Sequence, residues 1–203
     1  LRVAAELAGD RVPPNVDPAP PRILDIGCGN GRFAAFLQDR GLLFNFIGVD
    51  ANADLLAAAR SRVEPTLPRT PEWIQQDFLH AEPVGAELPA GPFDAIVLMG
   101  VMHHVPSAEN RLALLESAAR RLAPRGLLAL TAWQFATQPR FHRRMVEWSS
   151  VRAPDGMAVD PDELEPGDHL LRFGDDPTRP PRYCHQVSDA EFDTWPAARG
   201  LAT

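Results

Sequence analysis

The run Asp25-Ile26-Gly27-Cys28-Gly29-Asn30-Gly31 has residue types and spacing that can do chemistry. Alternate glycines let a backbone turn sharply and come close to a ligand. A plain tight turn is the bland reading, but acids elsewhere argue for more. Asp50 follows Asp25 by roughly 25 positions, where a carboxylate can accept both hydroxyls of a ribose. Asp77 in Gln76-Asp77-Phe78 can accept from an adenine amino group, and Phe78 can offer its backbone N–H to a ring nitrogen. Each acid alone is an ordinary surface or capping residue; three at successive strand ends suggest one adenosine site. A dinucleotide fingerprint, Gly-x-Gly-x-x-Gly, would need glycine where Arg32 stands. Asp25 would also repel a pyrophosphate. It suits a cation, such as the amino group and sulfonium of S-adenosylmethionine, with Met99 and Gly100 beside the sulfonium.

A second set of reactive side chains lies outside this loop. His103 and His104 follow the fourth apolar run, and Arg182, Tyr183 and His185 lie far along the chain. Methyl transfer is an in-line displacement, and positioning alone supplies about 7–11 kcal/mol. A carboxylate acceptor, with a pKa of about 4, needs no base at neutral pH. It needs cationic or hydrogen-bonding groups to steer it, and Arg182, Tyr183, His185 and His104 are the candidates. A phenol or amine would need a base, and either histidine can serve. The alternatives are a histidine pair that caps a turn or packs on the cofactor, and a strand edge with an ordinary salt bridge. Arg140-Phe141-His142-Arg143-Arg144 is a basic cluster that suits RNA phosphates or a solvated helix face.

Strands alternating with helices must position these groups. The apolar runs Ile23–Ile26, Phe44–Val49, Trp73–Gln76, Phe93–Met99 and Leu127–Ala132 read as strands. Helices are expected over Arg2–Ala8, Arg32–Arg40 (Phe33, Phe36 and Leu37 on one face) and Ala53–Val63, which Asn52 caps. Another runs from the cap Ser107 to Leu122, with Leu112, Leu115, Ala119 and Leu122 inward. Pro124-Arg125-Gly126 reads as a turn. Arg140–Ser150 reads as helical, and Val151–Pro181 as a long loop or insertion. Ser188 and Glu191 form a capping box for a last helix, Asp189–Arg199. This pattern predicts an α/β chain with a doubly wound, mostly parallel sheet in one domain over 1–203, its functional loops at the carboxyl ends of the strands. A further strand is expected after Leu201-Ala202-Thr203, so the C-terminal strands read as truncated.

Composition excludes several classes. The 203 residues carry a net charge of -7, and every Lys+Arg residue is an arginine. That balance argues against a broad non-specific nucleic-acid surface. No apolar run nears the ~20 residues that span a bilayer, so no membrane partner is expected. Two cysteines, Cys28 and Cys184, make neither a disulfide framework nor a zinc pattern, so no metal is expected and a cytoplasmic setting is.

The pattern Asp-x-Gly-x-Gly-x-Gly resembles that of class I S-adenosylmethionine-dependent methyltransferases over roughly Arg22–Trp133. The resemblance implies a Rossmann-like fold and cofactor contacts at Asp25, Gly27, Gly29, Gly31, Asp50, Ala51 (against the adenine), Asp77 and Phe78; Cys28, Met99, Gly100 and His103 complete the expected cofactor-binding set. Val101-Met102-His103-His104, Trp133, Gln138, Pro166-Gly167-Asp168 and Arg182-Tyr183-Cys184-His185 together resemble the tRNA wobble-uridine carboxyl methyltransferases. Cys184 stands where family members commonly carry a second aromatic. This resemblance implies methylation of a 5-carboxymethyluridine in tRNA and a small zinc-binding activator subunit as partner. A small-molecule O- or N-methyltransferase and a non-catalytic cofactor-binding module are the other readings.

Overall fold

The computed structural model describes residues 19–63, 70–152, 156, 158–172, 174 and 179–197. The expected helix Arg2–Ala8 and the chain end at Leu201–Thr203 lie outside the described residues. Two compact units result. One holds the residues up to Met99 with Ala113–Thr131; the other holds Gly100–Leu112 and the residues from Ala132 onward.

The first unit is a five-stranded, all-parallel sheet. Its strands are β1 (Arg22–Ile26), β2 (Asn45–Asp50), β3 (Glu72–Gln75), β4 (Phe93–Met99) and β5 (Leu122–Thr131), in the order β3-β2-β1-β4-β5. The chain winds outward from β1 to β3, then returns to β4 on the other side of β1. That reversal is the topological switch point of a doubly wound sheet, where ligands meet the carboxyl ends of the strands. β1 and β4 are central and covered on both faces, so they are apolar runs rather than alternating ones. Leu24, Ile26, Ile96 and Leu98 are fully buried, each contributing about 1.5–3 kcal/mol.

α1 (Arg32–Asp39) starts directly after Gly31, and α2 (Ala53–Arg62) starts at its predicted cap. The Asn52 side chain accepts from the backbone N–H of Asp54 and Leu55 at 2.9 and 3.0 Å, a cap that contributes about 1 kcal/mol. The inward face of α1 differs from expectation. Ala34 and Leu37 are buried, Phe33 packs against the core and Phe36 stays exposed, with the Arg40 guanidinium 4.3 Å from its ring centre. A charged partner satisfies that ring at the surface.

Gly48 is required by packing. A Cβ there would lie 2.7 Å from the Trp73 ring and 2.9 Å from Cys28 Sγ. Gly48→Ala is expected to destabilise by about 1–3 kcal/mol through overpacking. Thermal unfolding checks it, and an unchanged midpoint would contradict this packing.

The second unit contains a 3₁₀ turn (Met102–His104), the start of α3 (Ala108–Ala119), a short helix α4 (Pro139–His142), a sheet, and α5 (Asp189–Ala197). The sheet is antiparallel, in the order β6-β7-β8, from β6 (Met145–Val146), β7 (Asp168–Leu171) and β8 (Arg182–His185). Three expectations change. Arg140–Ser150 is one helical turn, a strand and a 3₁₀ turn rather than one helix. β7 lies inside the stretch expected to be loop, because its apolar residues bury only when paired with β8. Pro124-Arg125-Gly126 interrupts β5 instead of preceding it: Phe93 pairs with Leu122 and Ala95 with Leu127, and Arg125 has a φ of 63°. No helix among the described residues is long and apolar enough to cross a membrane.

Candidate functional site

The first unit builds a cradle at the carboxyl end of β1. Gly27, Gly29 and Gly31 all have positive φ, at 71°, 53° and 74°. A side chain at Gly31 would also meet Ala59 Cβ at 3.0 Å and Trp73 at 3.1 Å, so glycine is demanded there twice over. The backbone N–H groups of Gly27 and Cys28 donate to the Val49 carbonyl at 2.8 and 3.0 Å, tying the loop to β2. Asp50, at the end of β2, accepts from Gly29 N–H at 2.8 Å and from Asn52 N–H at 2.9 Å. Each carboxylate oxygen has a second lone pair left for an external donor. Ala51 is exposed beside it, and Cys28 is buried under the loop.

Asp25 is the unusual member. It is 2 % exposed, and its Oδ1 is buried without a hydrogen-bond partner. Burial, and then the charge of Asp50, push its carboxyl up to about 8. A buried, unsatisfied acceptor costs about 1–3 kcal/mol, which the rest of the fold must offset. A cationic ligand in the glycine cradle removes that cost. The donors and acceptors present therefore fit S-adenosylmethionine: an acid for its positive end, Asp50 for the ribose, and glycines that admit its chain.

Asp77 does not end β3; it stands two residues past Gln75, in the loop. There its Oδ1 accepts from Leu79 N–H at 3.1 Å and its Oδ2 faces His80 Nδ1 at 2.8 Å, one partner on each oxygen. β3 spans Glu72–Gln75 rather than Trp73–Gln76, with Glu72 opposite Ile47 on β2. Phe78 is buried, and its carbonyl accepts from Gly85 N–H, which leaves its own N–H unused by that bond. Met99, at the end of β4, is 37 % exposed, and Gly100 follows with a φ of 77°.

The second unit gathers the remaining candidates around β8. Successive side chains of a strand point to opposite faces. Tyr183 and His185 share one face. The Tyr183 hydroxyl donates to Asp168 Oδ1 at 2.7 Å, and His185 Nδ1 lies 2.7 Å from the same oxygen. His185 Nε2 lies 2.9 Å from Glu191 Oε2. Burial and the Asp168 bond raise the Tyr183 phenol above its ordinary value. Both side chains are thus spent on carboxylates. Arg182 and Cys184 share the other face, Arg182 exposed and Cys184 fully buried. His104 lies on that side: its Nδ1 is 3.0 Å from the Tyr183 carbonyl and 3.7 Å from Cys184 Sγ. Burial and the charge of Arg182 lower its pKa against the lift from the Tyr183 bond. His103 stacks on Trp133 with ring centres 4.3 Å apart, and its buried Nδ1 has no partner. Burial pushes His103 down to about 3. Both histidines are neutral at physiological pH.

Arg111 and Glu165 escaped the sequence reading, and Glu191 was read only as a cap. Arg111, 1 % exposed, donates from Nη2 to Glu165 Oε2 and from Nε to Glu191 Oε1, both at 2.7 Å, and from Nη1 to the Val105 carbonyl at 3.1 Å. The buried residues of α3 are Arg111, Leu114, Leu115, Ser117 and Ala118, so of the expected stripe on this helix Leu115 is buried while Leu112 and Ala119 are only partly so. A cation placed i, i+3, i+4, i+7 with Leu114, Leu115 and Ala118 was the available signal. Glu191 completes only half of its capping box. Ser188 Oγ accepts from Glu191 N–H at 3.1 Å, while the Glu191 carboxylate serves Arg111 and His185 instead. Glu165, Asp168 and His185 bring ligand-type atoms within 4.8 Å of one another, but Arg111 already supplies the positive charge there.

Comparison with known proteins follows the same line. The chain is 34% identical over 125 residues to trans-aconitate 2-methyltransferase of Azoarcus sp., covering 62% of this chain and 44% of that one. It is 29% identical over 111 residues to the tRNA (carboxymethyluridine(34)-5-O)-methyltransferase of Mus musculus, covering 55% of this chain and 14% of that one. It thus spans less than half the length of either curated relative. A solved structure of a SAM-dependent methyltransferase from Methanosarcina mazei matches with a TM-score of 0.62 at 21% identity, over 89% of this chain and 79% of that one, which shows the Rossmann-like fold. A methyltransferase-domain family model matches residues 2–165. With the acid-led glycine cradle on a doubly wound sheet and most of its length inside that match, the chain belongs to the methyltransferase domain family.

Proposed function

We propose that this chain transfers the methyl group of S-adenosylmethionine to a carboxylate oxygen, and that its acceptor is the 5-carboxymethyl group of a wobble uridine in tRNA. The observation that carries methyl transfer is Asp25: a buried acid with an orphaned oxygen, in a glycine cradle, calls for a cationic cofactor. S-adenosylmethionine supplies a methyl on positively charged sulfur. The protein's share is to hold both reactants in line, which supplies about 7–11 kcal/mol. Carboxylate chemistry is supported by the two relatives, since an aconitate and a carboxymethyluridine both bear one. Arg182, exposed on β8, is the group proposed to meet that anion through charge-assisted hydrogen bonds. His104 supplies a neutral ring on the same face of the strand, while Tyr183 and His185 hold β8 through Asp168.

The tRNA acceptor is favoured by the motifs around His104 and β8, and by the exposed Arg140, Arg143 and Arg144 on and after α4. The net charge of -7 and the Azoarcus relative favour a small carboxylate instead. Labelled methyl donor decides between them. It is given with bulk tRNA bearing carboxymethyluridine, and separately with trans-aconitate, each with and without a small zinc-binding activator subunit. Label in tRNA is expected. Label only in the small acid rejects the tRNA acceptor and keeps the carboxylate; label in neither rejects both.

A further inference from the structure

Among the described residues β8 is the edge strand of its sheet, so one row of its backbone groups is not satisfied by β7. The Tyr183 carbonyl is spent on His104 Nδ1 at 3.0 Å. A carbonyl only accepts, so Nδ1 carries the proton and Nε2 of the neutral ring is a bare acceptor. His104 Nε2 has no hydrogen bond among the described residues. Whatever holds β8 in place therefore decides which nitrogen of His104 is protonated.

Asp168 is that hold. It lies on β7, directly opposite His185 on β8, with His169 opposite Cys184 and Leu170 opposite Tyr183. Its Oδ1 takes the Tyr183 hydroxyl and His185 Nδ1, both at 2.7 Å, so one carboxylate straps the edge strand at two positions two residues apart. Its Oδ2 accepts from Glu165 N–H at 3.0 Å. Gly167, with a φ of 106°, makes the approach possible: a Cβ there would lie 2.9 Å from the Gln186 carbonyl and 3.2 Å from His185 Cε1. The strap lies on one face of the strand, and His104 lies on the Cys184 side. Tyr183 is the residue that joins them, with its side chain on Asp168 and its carbonyl on His104.

We propose that Asp168 is a positioning residue that, by strapping β8 through Tyr183 and His185, keeps the proton of His104 on Nδ1 and presents Nε2 to an O–H or N–H of the methyl acceptor. This rests on the methyl-transfer reading above. It also narrows the acceptor. A bare ring nitrogen repels a carboxylate and welcomes a donor, so a molecule carrying an N–H or O–H beside its carboxylate is preferred to one that is anionic throughout. A nucleoside meets that requirement and a fully ionised aconitate does not.

The test reads the proton directly. Nitrogen-15 spectra of the histidine rings are recorded on the full ligand-free chain, with His104 assigned from a His104→Gln variant. The native protein is expected to show His104 as a single Nδ1–H tautomer. Asp168→Asn keeps the shape of the side chain but removes the charge, and the Nε2–H form is expected to appear. On the acceptor that is methylated, kcat is expected to fall about tenfold or more, as misplacement remote from the chemistry does, with the KM for S-adenosylmethionine unchanged. Asp168→Glu restores the charge and is expected to recover part of both. A folded Asp168→Asn protein with the native His104 signal would overturn the proposal and leave Asp168 a purely structural residue. So would an Nε2–H tautomer in the native protein. Should Asp168→Asn fail to fold, Tyr183→Phe decides. It loses one strap and keeps the carbonyl, and an unchanged tautomer there overturns the proposal equally. Because the spectra need no cofactor, a correct tautomer result without methylation of any acceptor would sink the methyl-transfer reading alone.

Discussion

Asp25→Asn is expected to stabilise the ligand-free protein at pH 9 while depriving it of its cofactor. The carboxyl is buried, and its folded pKa is raised from 3.8 to about 8. A group raised in the folded state contributes its full stability below the unfolded value, and that contribution is lost as pH rises through the folded one. The native protein should therefore lose stability steadily between about pH 4 and pH 8, as an isolated carboxylate is forced into the interior. Each pKa unit corresponds to about 1.4 kcal/mol, and the melting midpoint moves about 2–4 °C per kcal/mol in a chain of this size. Asparagine has the same shape and no charge to bury, so the variant's midpoint should stay nearly flat over that range and exceed the native one at pH 9. Binding of S-adenosylhomocysteine moves the other way. Losing a charge-assisted contact of about 1.5–3 kcal/mol weakens affinity by about tenfold to a hundredfold. Thermal scans across pH with calorimetric titration check both halves. If affinity is unchanged, Asp25 does not face the cofactor's cation; if the native stability shows no pH dependence, the acid is not held as the structure shows.

Arg111→Ala should produce the largest loss of stability of any single change considered. The guanidinium is 1 % exposed and answers two glutamates, whose side chains are 31% and 19% exposed. Truncation leaves Glu165 and Glu191 facing each other and His185 without their common counter-charge. Breaking a buried pair by removing one partner costs about 3–5 kcal/mol, mostly as uncompensated charge. The Val105 carbonyl, one residue after His104, also loses its donor. Urea unfolding should show a reduced midpoint of that size, and a loss under about 1 kcal/mol would mean that solvent already screens the network. Combining Arg111→Met with Glu165→Gln and Glu191→Gln should restore part of the loss, because an uncharged replacement of the whole set leaves no orphaned charge. Lysine is a poor substitute at position 111, since one point charge cannot reach two carboxylates and a carbonyl with the geometry of a guanidinium.

These two residues mark where sequence reading succeeds and where it stops. Asp25 was legible because its meaning is local. A strand that ends in an acid and enters glycines at fixed intervals has few conformations open to it, and the left-handed angles at Gly27, Gly29 and Gly31 follow from neighbours within a few positions. The same holds for the Asn52 cap, for the apolar runs of β1 and β4, and for Asp50 at its strand end. The end of β3 was less legible: the strand stops at Gln75, one residue earlier than its pattern suggests, and leaves Asp77 in the loop that follows.

Arg111 was only half legible: its place on the apolar stripe of α3 is a local signal, but the glutamates that satisfy it lie 54 and 80 positions away. His104 and Tyr183, 79 positions apart, show the same limit. Their residue types marked them as chemically able, yet only the pairing of β7 with β8 shows that Tyr183 and His185 spend their side chains on Asp168 while the Tyr183 carbonyl orients His104. Sequence alone determined the winding of the sheet and the turn of the acid-led glycine loop, since both arise from periodicity and backbone freedom. The tertiary structure alone decided which polar side chains are consumed in holding the molecule together and which nitrogen of His104 is bonded, because hydrogen bonds between distant segments exist only once the chain has folded.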